Sequence, residues 1–558
     1  MAQIQFKGKS FVQNHHLLVK YHELIPKKDK SLTDKVSLHD NLIIHGDNLK
    51  ALKALLPLYA GKIKCIYIDP PYNTGNEKWV YNDNVNSPMM QEWLGQEVKL
   101  DDLTRHDKWL CIMLPRLKIL KELLSDDGVI FVSIDDNEVH HLRMLMDEIF
   151  GENRFVSQIT VLANKGGQDY LEIAKVHEYI LCYTKTEGTE LSELPKDTSG
   201  FPCEDKKGKY ELRELRNRNP RFNRSNRPNL FYPIYVNPQS CDSHKQCLIS
   251  LEKKKDFIVE LFPKNSEGND SCWRWGKELI LKNIADTTEE SRAVARQKQD
   301  GGWNIYEKNR KATSKAKSLW DETGVRTENG TKILKQIFVE HSFQFPKPVD
   351  LVKKILQVGA NKDNSVILDS FSGSGTTAHA VLELNKEDGS NRKFILVECE
   401  DYADKITAER VRRVINGVPK AKDENLKEGL GGTFSYFELG KAIELESILS
   451  GDGLPTYEEL ARYIFYTATG EEFDPKAMNE KKNFVGESKN YKVYLFYEPD
   501  IEKLKNIALT LERAQTLGKP GEKRRLIFAP TKYLDQAHLD ELRIDFAQLP
   551  FEIYELAR

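Results

Sequence analysis

The sequence predicts an α/β protein built on a doubly wound, mostly parallel sheet, with an inserted domain and a small C-terminal α/β domain. Three observations carry this. Apolar strand-like runs alternate with helix-like runs from Asn41 to Gly151, the alternation that builds a parallel sheet. The rhythm fades near Lys185 into a polar stretch rich in Arg and Asn, and it returns at Pro348. At 558 residues the chain also exceeds what one hydrophobic core usually supports. The expected domains are 1–185 and 331–438 for the two halves of one sheet, 186–330 for the insert, and 439–558 for the C-terminal domain.

Taken in order, LIIHGD reads as a strand, NLKALKALLPLYAG as a helix, and KIKCIYIDPPY as a strand ending in prolines. DKWLCIMLPRLKILKELLSDDG is helical, GVIFVSIDD is a strand apolar on both faces, and NEVHHLRMLMDEIFG is a further helix. In the second half, helical PVDLVKKILQVGA precedes the strand NSVILD, a glycine turn, the helix TTAHAVLEL and the strand RKFILVE. After GGTFSYFELG, YEELARYIFYTATG reads as a helix, and NYKVYLFYE and RRLIFAP as strands.

The composition is 39% hydrophobic and 30% charged, with no apolar run near the roughly twenty residues of a membrane span. No membrane partner is expected. The N-terminal MAQIQFKGKSFVQNHH lacks the apolar core of a secretory signal, which points to the cytoplasm. A net charge of −2 does not single out a polyanion partner, but a global sum hides local patches. The eight cysteines (65, 111, 182, 203, 241, 247, 272 and 399) read as reduced core residues. Cys241-x-x-His244-x-x-Cys247, with Cys203 and Cys272 as outside partners, resembles metal ligation but lacks paired CxxC geometry. No metal is expected.

Two motifs carry chemistry. Asp69-Pro70-Pro71-Tyr72 lies at the C-terminal end of a strand, the edge where parallel sheets bind ligands. Asp69 and the Pro70 carbonyl can each accept a hydrogen bond from an amine on an aromatic ring, aiming its lone pair at an electrophile. Tyr72 offers a face for stacking, and Pro71 completes the rigid turn. A bare turn would explain the two prolines, but the motif follows a strand directly and continues as NTGNEKWVYND. If the ring is a nucleic-acid base, it must leave the duplex stack to be reached.

The second motif is Asp369-Ser370-Phe371-Ser372-Gly373-Ser374-Gly375-Thr376, a strand end, glycine turn and helix start. Gly373 and Gly375 allow a ligand close to the backbone. No Lys follows Gly375, so the turn is not a P-loop and ATP hydrolysis is discounted. Glu398 ends the next strand, where an acid can pair with ribose hydroxyls. The pair reads as a nucleoside-type site.

These residues resemble the amino-methyltransferases of DNA, and DPPY points to the adenine-N6 branch. DPPY preceding FSGSG, with a polar region between, is similar to the circularly permuted order of the family's β group. NLIIHGDNLKALKALLPLYAGKIKCIYIDPPYNTGN, VHEYILCYTK, FQFPKP, LDSFSGSGTT and GGTFSYFELG resemble modification subunits of type III restriction-modification systems, covering most of residues 1–440. The resemblance implies a Rossmann-like methyltransferase fold and S-adenosyl-L-methionine as cofactor. Asp369, Phe371, Gly373 and Gly375 would hold its methionine end, with Glu398 on the ribose and Thr376 also among the cofactor-binding residues. Asp47, Phe345, Lys347 and Pro348 fall in segments the family uses around the cofactor, and His177 with Tyr179 in one that walls the target-base pocket. It also implies double-stranded DNA as substrate, base flipping, a homodimer, and a helicase-nuclease restriction subunit as partner. Cytosine-N4 or RNA amine methylation, or a DNA-binding specificity subunit with a vestigial site, stay open as alternatives.

Arg213, Arg216, Arg218, Arg221, Arg224 and Arg227 are interleaved with asparagines inside the insert. Arg and Asn read guanine and adenine edges, and Arg anchors phosphate. They form the candidate target-recognition surface. Trp273, Trp275, Trp303 and Trp320 read as a small core of the same insert.

Overall fold

A computed structural model describes residues 3–74, 104–167, 172–338, 343–442, 455–469, 471, 473–504 and 506–549. They divide into two compact units, one of residues 1–192 with 317–558 and one of residues 193–316.

The first unit holds a ten-stranded sheet. In chain order its strands are β1 (His22–Pro26), β2 (Leu42–His45), β3 (Ile63–Ile68), β4 (Leu124–Ile134), β5 (Phe155–Leu162), β6 (His177–Thr184), β7 (Leu319–Trp320), β8 (Val366–Asp369), β9 (Lys393–Glu398) and β10 (Ser435–Ala442). Across the sheet the order is β1-β10-β2-β9-β8-β3-β4-β6-β5-β7. Pairing is parallel from β10 through β4, and β6 runs antiparallel to both its neighbours.

Helices α1 (Asn48–Tyr59), α2 (Arg105–Leu123) and α3 (Val139–Phe150) pack on one face, and α4 (Val349–Gly359) and α5 (Thr376–Asp388) belong to the other. The pleat sorts side chains between them. Ile66 and Ile68 of β3, with Ile130, Val132 and Ile134 of β4, join the core of the α1–α3 face. On the other face Gly359 of α4 lies so close to Cys65, Val129 and Phe131 that a Cβ there would come within 2.8–2.9 Å of them. Both faces are therefore buried, which is why these strands read as unbroken apolar runs. Each fully buried Ile contributes about 1.5–3 kcal/mol.

From β8 the chain crosses through α5 to β9 on one side, while from β3 it crosses through α2 to β4 on the other. β8 and β3 are neighbours, so the topological switch point lies between them. Ligands bind at this place in doubly wound sheets.

After β10, helix α6 (Tyr457–Thr469) leads to a four-stranded sheet of β11 (Phe484–Glu487), β12 (Tyr491–Leu495), β13 (Arg524–Ala529) and β14 (Ile544–Gln548), in that order. Leu460, Ile464 and Phe465 of α6 bury with Val493, Leu495 and Phe528 of this sheet. Tyr463 meets Tyr21 edge-on, with ring centroids 4.5 Å apart.

The second unit is mostly β, with a five-stranded antiparallel sheet, Gln246–Cys247, Ala293–Gln297, Trp303–Asn309, Gly208–Glu214 and Cys203–Asp205, a three-stranded one, and a short helix at Lys277–Leu281. Its limits are tighter than the expected 186–330. Leu319 and Trp320 form β7 against β5 of the first unit, and Trp320 is fully buried there with Lys354 Nζ 4.6 Å from its ring centre. Trp320 is thus no part of the insert's core, whereas Trp273 and Trp275 are. The expectation that every cysteine is reduced is also corrected: Cys241 and Cys247 form a disulfide. Hydrogen bonds from the Gln246 and His244 amides to Asp242 fold the intervening loop and bring the two Cα atoms to 4.1 Å. Both sulfurs are thereby consumed, so the Cys-His-Cys spacing is not a metal site.

Candidate active site

Strand pairing brings the two motifs together. Leu368 of β8 lies beside Ile66 of β3, so Asp369 and Asp69 end adjacent parallel strands although 300 residues separate them.

The β3 end carries a braced turn. Trp109 of α2 donates its indole N–H to the Pro71 carbonyl at 2.7 Å. Among the described residues no donor reaches the Pro70 carbonyl. Asn73 takes a left-handed φ of 58° and donates to Glu138 Oε1 at 2.5 Å. Glu138 is fully buried and also binds His106 Nδ1 at 2.6 Å and His141 Nδ1 at 2.8 Å. These three side chains place their donor atoms within 4.8 Å of one another, a spacing compatible with a metal ion. The hydrogen bonds already engage both carboxylate oxygens and hold the turn through Asn73. Trp109→Phe leaves the half-buried Pro71 carbonyl without its donor and is expected to cost about 0.5–1.5 kcal/mol of stability, read from a denaturant titration; an unchanged midpoint would show that the bond does not brace the turn. The segment continuing the motif from Gly75 lies outside the described residues.

Asp69 retains 26% side-chain exposure; its buried Oδ1 meets no donor in good hydrogen-bond geometry, although the Lys347 ammonium and the Tyr72 hydroxyl stand close enough to lower its pKa. Lys347 Nζ lies 3.3 Å from Oδ1, an ion pair outside hydrogen-bond geometry. The same ammonium donates to Tyr72 Oη at 2.6 Å and to Glu178 Oε2 at 2.8 Å. Tyr72 in turn donates to Glu178 Oε2 at 3.1 Å. Burial pushes the Asp69 carboxyl above its ordinary pKa, and the Lys347 ammonium pulls it part of the way back. Burial works against the charge of Lys347, but Asp69 and Glu178 outweigh it and hold its pKa above the ordinary value.

At the β8 end, Asp369 accepts from the Phe371 amide at 3.1 Å and from the Thr377 hydroxyl, closing the turn. Gly373 and Gly375 take φ of +52° and +80°. A Cβ on Gly373 would lie 3.1 Å from the Phe343 ring, and one on Gly375 would lie 3.1 Å from the Thr407 carbonyl. From behind, the buried Arg410 donates to Ser374 Oγ and Thr376 Oγ1, each at 2.8 Å. Glu398 of β9 accepts from the amides of Gly373 at 2.7 Å, Cys399 at 3.0 Å and Glu400 at 3.1 Å. Burial raises the carboxyls of Asp369 and Glu398 to about 7.

A model of the family described as DNA methylase matches residues 63–409, spanning both motifs and the insert. The chain belongs to the DNA methylase family. The methylase is 33% identical, over 74% of its length and 67% of the relative's, to the type III restriction-modification enzyme EcoPI Mod subunit of Escherichia phage P1. It is 35% identical to the type II methyltransferase M.KpnI of Klebsiella pneumoniae, over 66% and 82% of the two chains. Against the StyLTI Mod subunit of Salmonella typhimurium it is 30% identical over 74% of its own length and 62% of the relative's. Among solved structures, PvuII DNA methyltransferase (cytosine-N4-specific) aligns over 66% of this chain and 86% of its own, at 11% identity and a TM-score of 0.33.

S-adenosylmethionine is the methyl donor of this family, and the methylase's β8 turn fits it. The left-handed glycines leave no side chain over the turn, and the buried hydroxyls of Ser370 and Ser372 have no partner among the described residues. Glu398 stands at the end of the neighbouring strand with lone pairs left for ribose hydroxyls. If it accepts those hydroxyls as a carboxylate, the cofactor binds the ionised form. Affinity is then expected to rise as pH climbs from 6 through about 7 and to level above it, by up to about tenfold per unit below 7. Calorimetry at pH 6 in buffers of different ionisation enthalpy should show proton release on binding, absent in Glu398→Gln. A slope that persists in that variant would assign the titration to Asp369 instead.

The other residues expected around the cofactor make the following contacts. Asp47 caps α1, its side chain accepting from the Lys50 amide at 3.1 Å. Thr376 donates to the Lys347 carbonyl at 3.2 Å, tying the turn to the FQFPKP segment. Pro348 caps α4, and Phe345 takes a left-handed φ of 55° with 78% of its surface exposed. Lys347 joins the Asp69–Tyr72 turn. His177 and Tyr179 bond each other, Nε2 to Oη at 2.8 Å. Because β6 alternates, Glu178 between them points to the opposite face and reaches the Asp69 cluster. Sequence reasoning alone misses Glu178, although the period of two within VHEYIL marks it as the inward residue. It misses Trp109, Glu138, Phe343 and Arg410 too, since nothing local announces their long-range partners.

In the second unit, Arg213, Arg218, Arg221, Arg224 and Arg227 are exposed. Arg216 and Arg218 both pair with Glu214 at 2.8 Å. Arg224 pairs with Asp270 at 3.3 Å and lies 4.8 Å from the Phe231 ring centre, and Arg227 lies 5.2 Å from that of Phe222.

Proposed function

We propose that this methylase transfers a methyl group to the N6 amine of an adenine flipped out of duplex DNA, as the modification subunit of a type III restriction-modification system. The observation that carries the reading is Asp69 Oδ1, a buried acceptor without a hydrogen bond, beside the Pro70 carbonyl and one strand from the glycine turn. S-adenosylmethionine, when bound, supplies an electrophilic methyl group. Asp69 and Pro70 accept the two N–H bonds of the amine, which draws its lone pair out of the ring and orients it. Two carboxylates, Asp69 and Glu178, against the one ammonium of Lys347 leave the turn a net negative charge where positive charge develops on the amine. Tyr72 offers its ring to the flipped base. The exposed arginines of the second unit supply phosphate and base-edge contacts to double-stranded DNA.

The type III assignment is supported by the Mod subunits among the relatives. It carries with it a homodimer, a restriction subunit as partner, and a cytoplasmic location; among the described residues no helix is long and apolar enough to cross a membrane. The amine acceptors would serve cytosine N4 equally well. Mass spectrometry of nucleosides from unmethylated plasmid incubated with protein and cofactor decides between them: N6-methyladenine supports the proposal, N4-methylcytosine replaces it, and no methylated base despite cofactor binding favours a specificity subunit.

A further inference from the structure

Lys347 has a choice of anions. Its short bonds go to Tyr72 and Glu178, at 2.6 and 2.8 Å, while Asp69 Oδ1 stands at 3.3 Å outside hydrogen-bond geometry. Glu178 Oε2 receives both the ammonium and the Tyr72 hydroxyl, so these three groups close a triangle and Asp69 lies beside it. Lys347 and Glu178 keep only 12% and 11% of their side-chain exposure, so water cannot readily replace either partner. Without Glu178, the anion left paired with the ammonium among the described residues is Asp69. A lysine hydrogen-bonded to Oδ1 would occupy the acceptor that the amine needs and neutralise the charge that stabilises it.

Resting on the methyl-transfer reading of this site, we propose that Glu178 is a positioning residue: it retains Lys347 against Tyr72 and so keeps Asp69 Oδ1 open to the target amine. At 3.3 Å from Oδ1 the lysine shares its charge with Asp69 without donating to it in hydrogen-bond geometry. The geometry separates the anion that anchors the cation, Glu178, from the anion assigned to the chemistry, Asp69.

Glu178→Gln keeps the shape and removes the anchor charge. Its kcat is expected to fall about a hundredfold, while KM for DNA and cofactor affinity stay within about threefold. Adding Lys347→Met removes the intruder and is expected to raise kcat about tenfold above that of Glu178→Gln alone. A merely structural role for Glu178 would make the double variant the worse of the two. Should Glu178→Gln fail to fold, Tyr72→Phe cuts the other short bond to Lys347 and is expected to show the same relief by Lys347→Met. Wild-type kcat in Glu178→Gln, or a double variant no faster than the single, overturns the inference. Wild-type protein that forms no N6-methyladenine overturns the methylation reading itself.

Discussion

Asp69→Ala is expected to lower methyl transfer by about a thousandfold or more while cofactor affinity stays within about threefold. The magnitude follows from what one side chain does. In the proposed reaction Asp69 accepts an N–H of the amine, places the lone pair, and provides a charge beside the nitrogen that becomes positive. Removing one preorganised electrostatic partner alone costs about a hundredfold to a thousandfold. Misorientation of the amine adds to that, because the Pro70 carbonyl alone leaves the nitrogen free to rotate about a single hydrogen bond. Cofactor affinity is spared because the glycine turn and Glu398 belong to β8 and β9 and do not hydrogen-bond to Asp69. The measurement is single-turnover formation of N6-methyladenine beside equilibrium dialysis of labelled cofactor. Loss of both together would sink this division of labour.

Gly375→Val is expected to do the reverse, abolishing cofactor binding first and activity in consequence. At φ +80° a β-branched residue is strained, at about 1–3 kcal/mol. The added Cβ would also meet the Thr407 carbonyl at 3.1 Å and its Cγ2 at 3.3 Å, and a backbone carbonyl cannot swing aside as a flexible side chain would. The turn must therefore shift, and with it the Gly373 amide that binds Glu398. Strain alone, at about 1.4 kcal/mol per factor of ten, weakens binding roughly fivefold to a hundredfold, and displacement of Glu398 adds to it. Circular dichroism should remain that of the wild type. Unchanged dialysis would place the cofactor somewhere other than this turn.

Both variants probe turns that the sequence marks plainly, and the contrast with Glu178 shows why. DPPY and FSGSG are local signals: prolines and glycines act on their own backbone, and the apolar runs before them are strands whatever their partners. Glu178 carries no such mark. It lies in an apolar strand between a histidine and a tyrosine that match a family motif, and its value depends on Lys347, 169 residues away. For Lys347 the sequence points to the right neighbourhood but to the cofactor, because a segment's closeness to one motif in sequence says little about which strand end its side chain reaches. Trp320 likewise groups with its sequence neighbours until β7 adds to the edge of the main sheet. The disulfide between Cys241 and Cys247 depends on a loop conformation that their spacing alone does not specify.

By itself the sequence determined the elements and the chemistry each can perform: a carboxylate and a carbonyl presented on a rigid turn, a glycine turn open to a nucleoside, and an arginine-rich insert. These follow from interactions within a few residues, whose geometry is nearly independent of the rest of the chain. Only the tertiary structure decided that the two turns are adjacent, because the order of strands in a sheet is set by which apolar faces can be covered together. It alone also decided that Asp69 shares a lysine with Glu178, since a buried ion cluster exists where low exposure leaves charges no partner but one another.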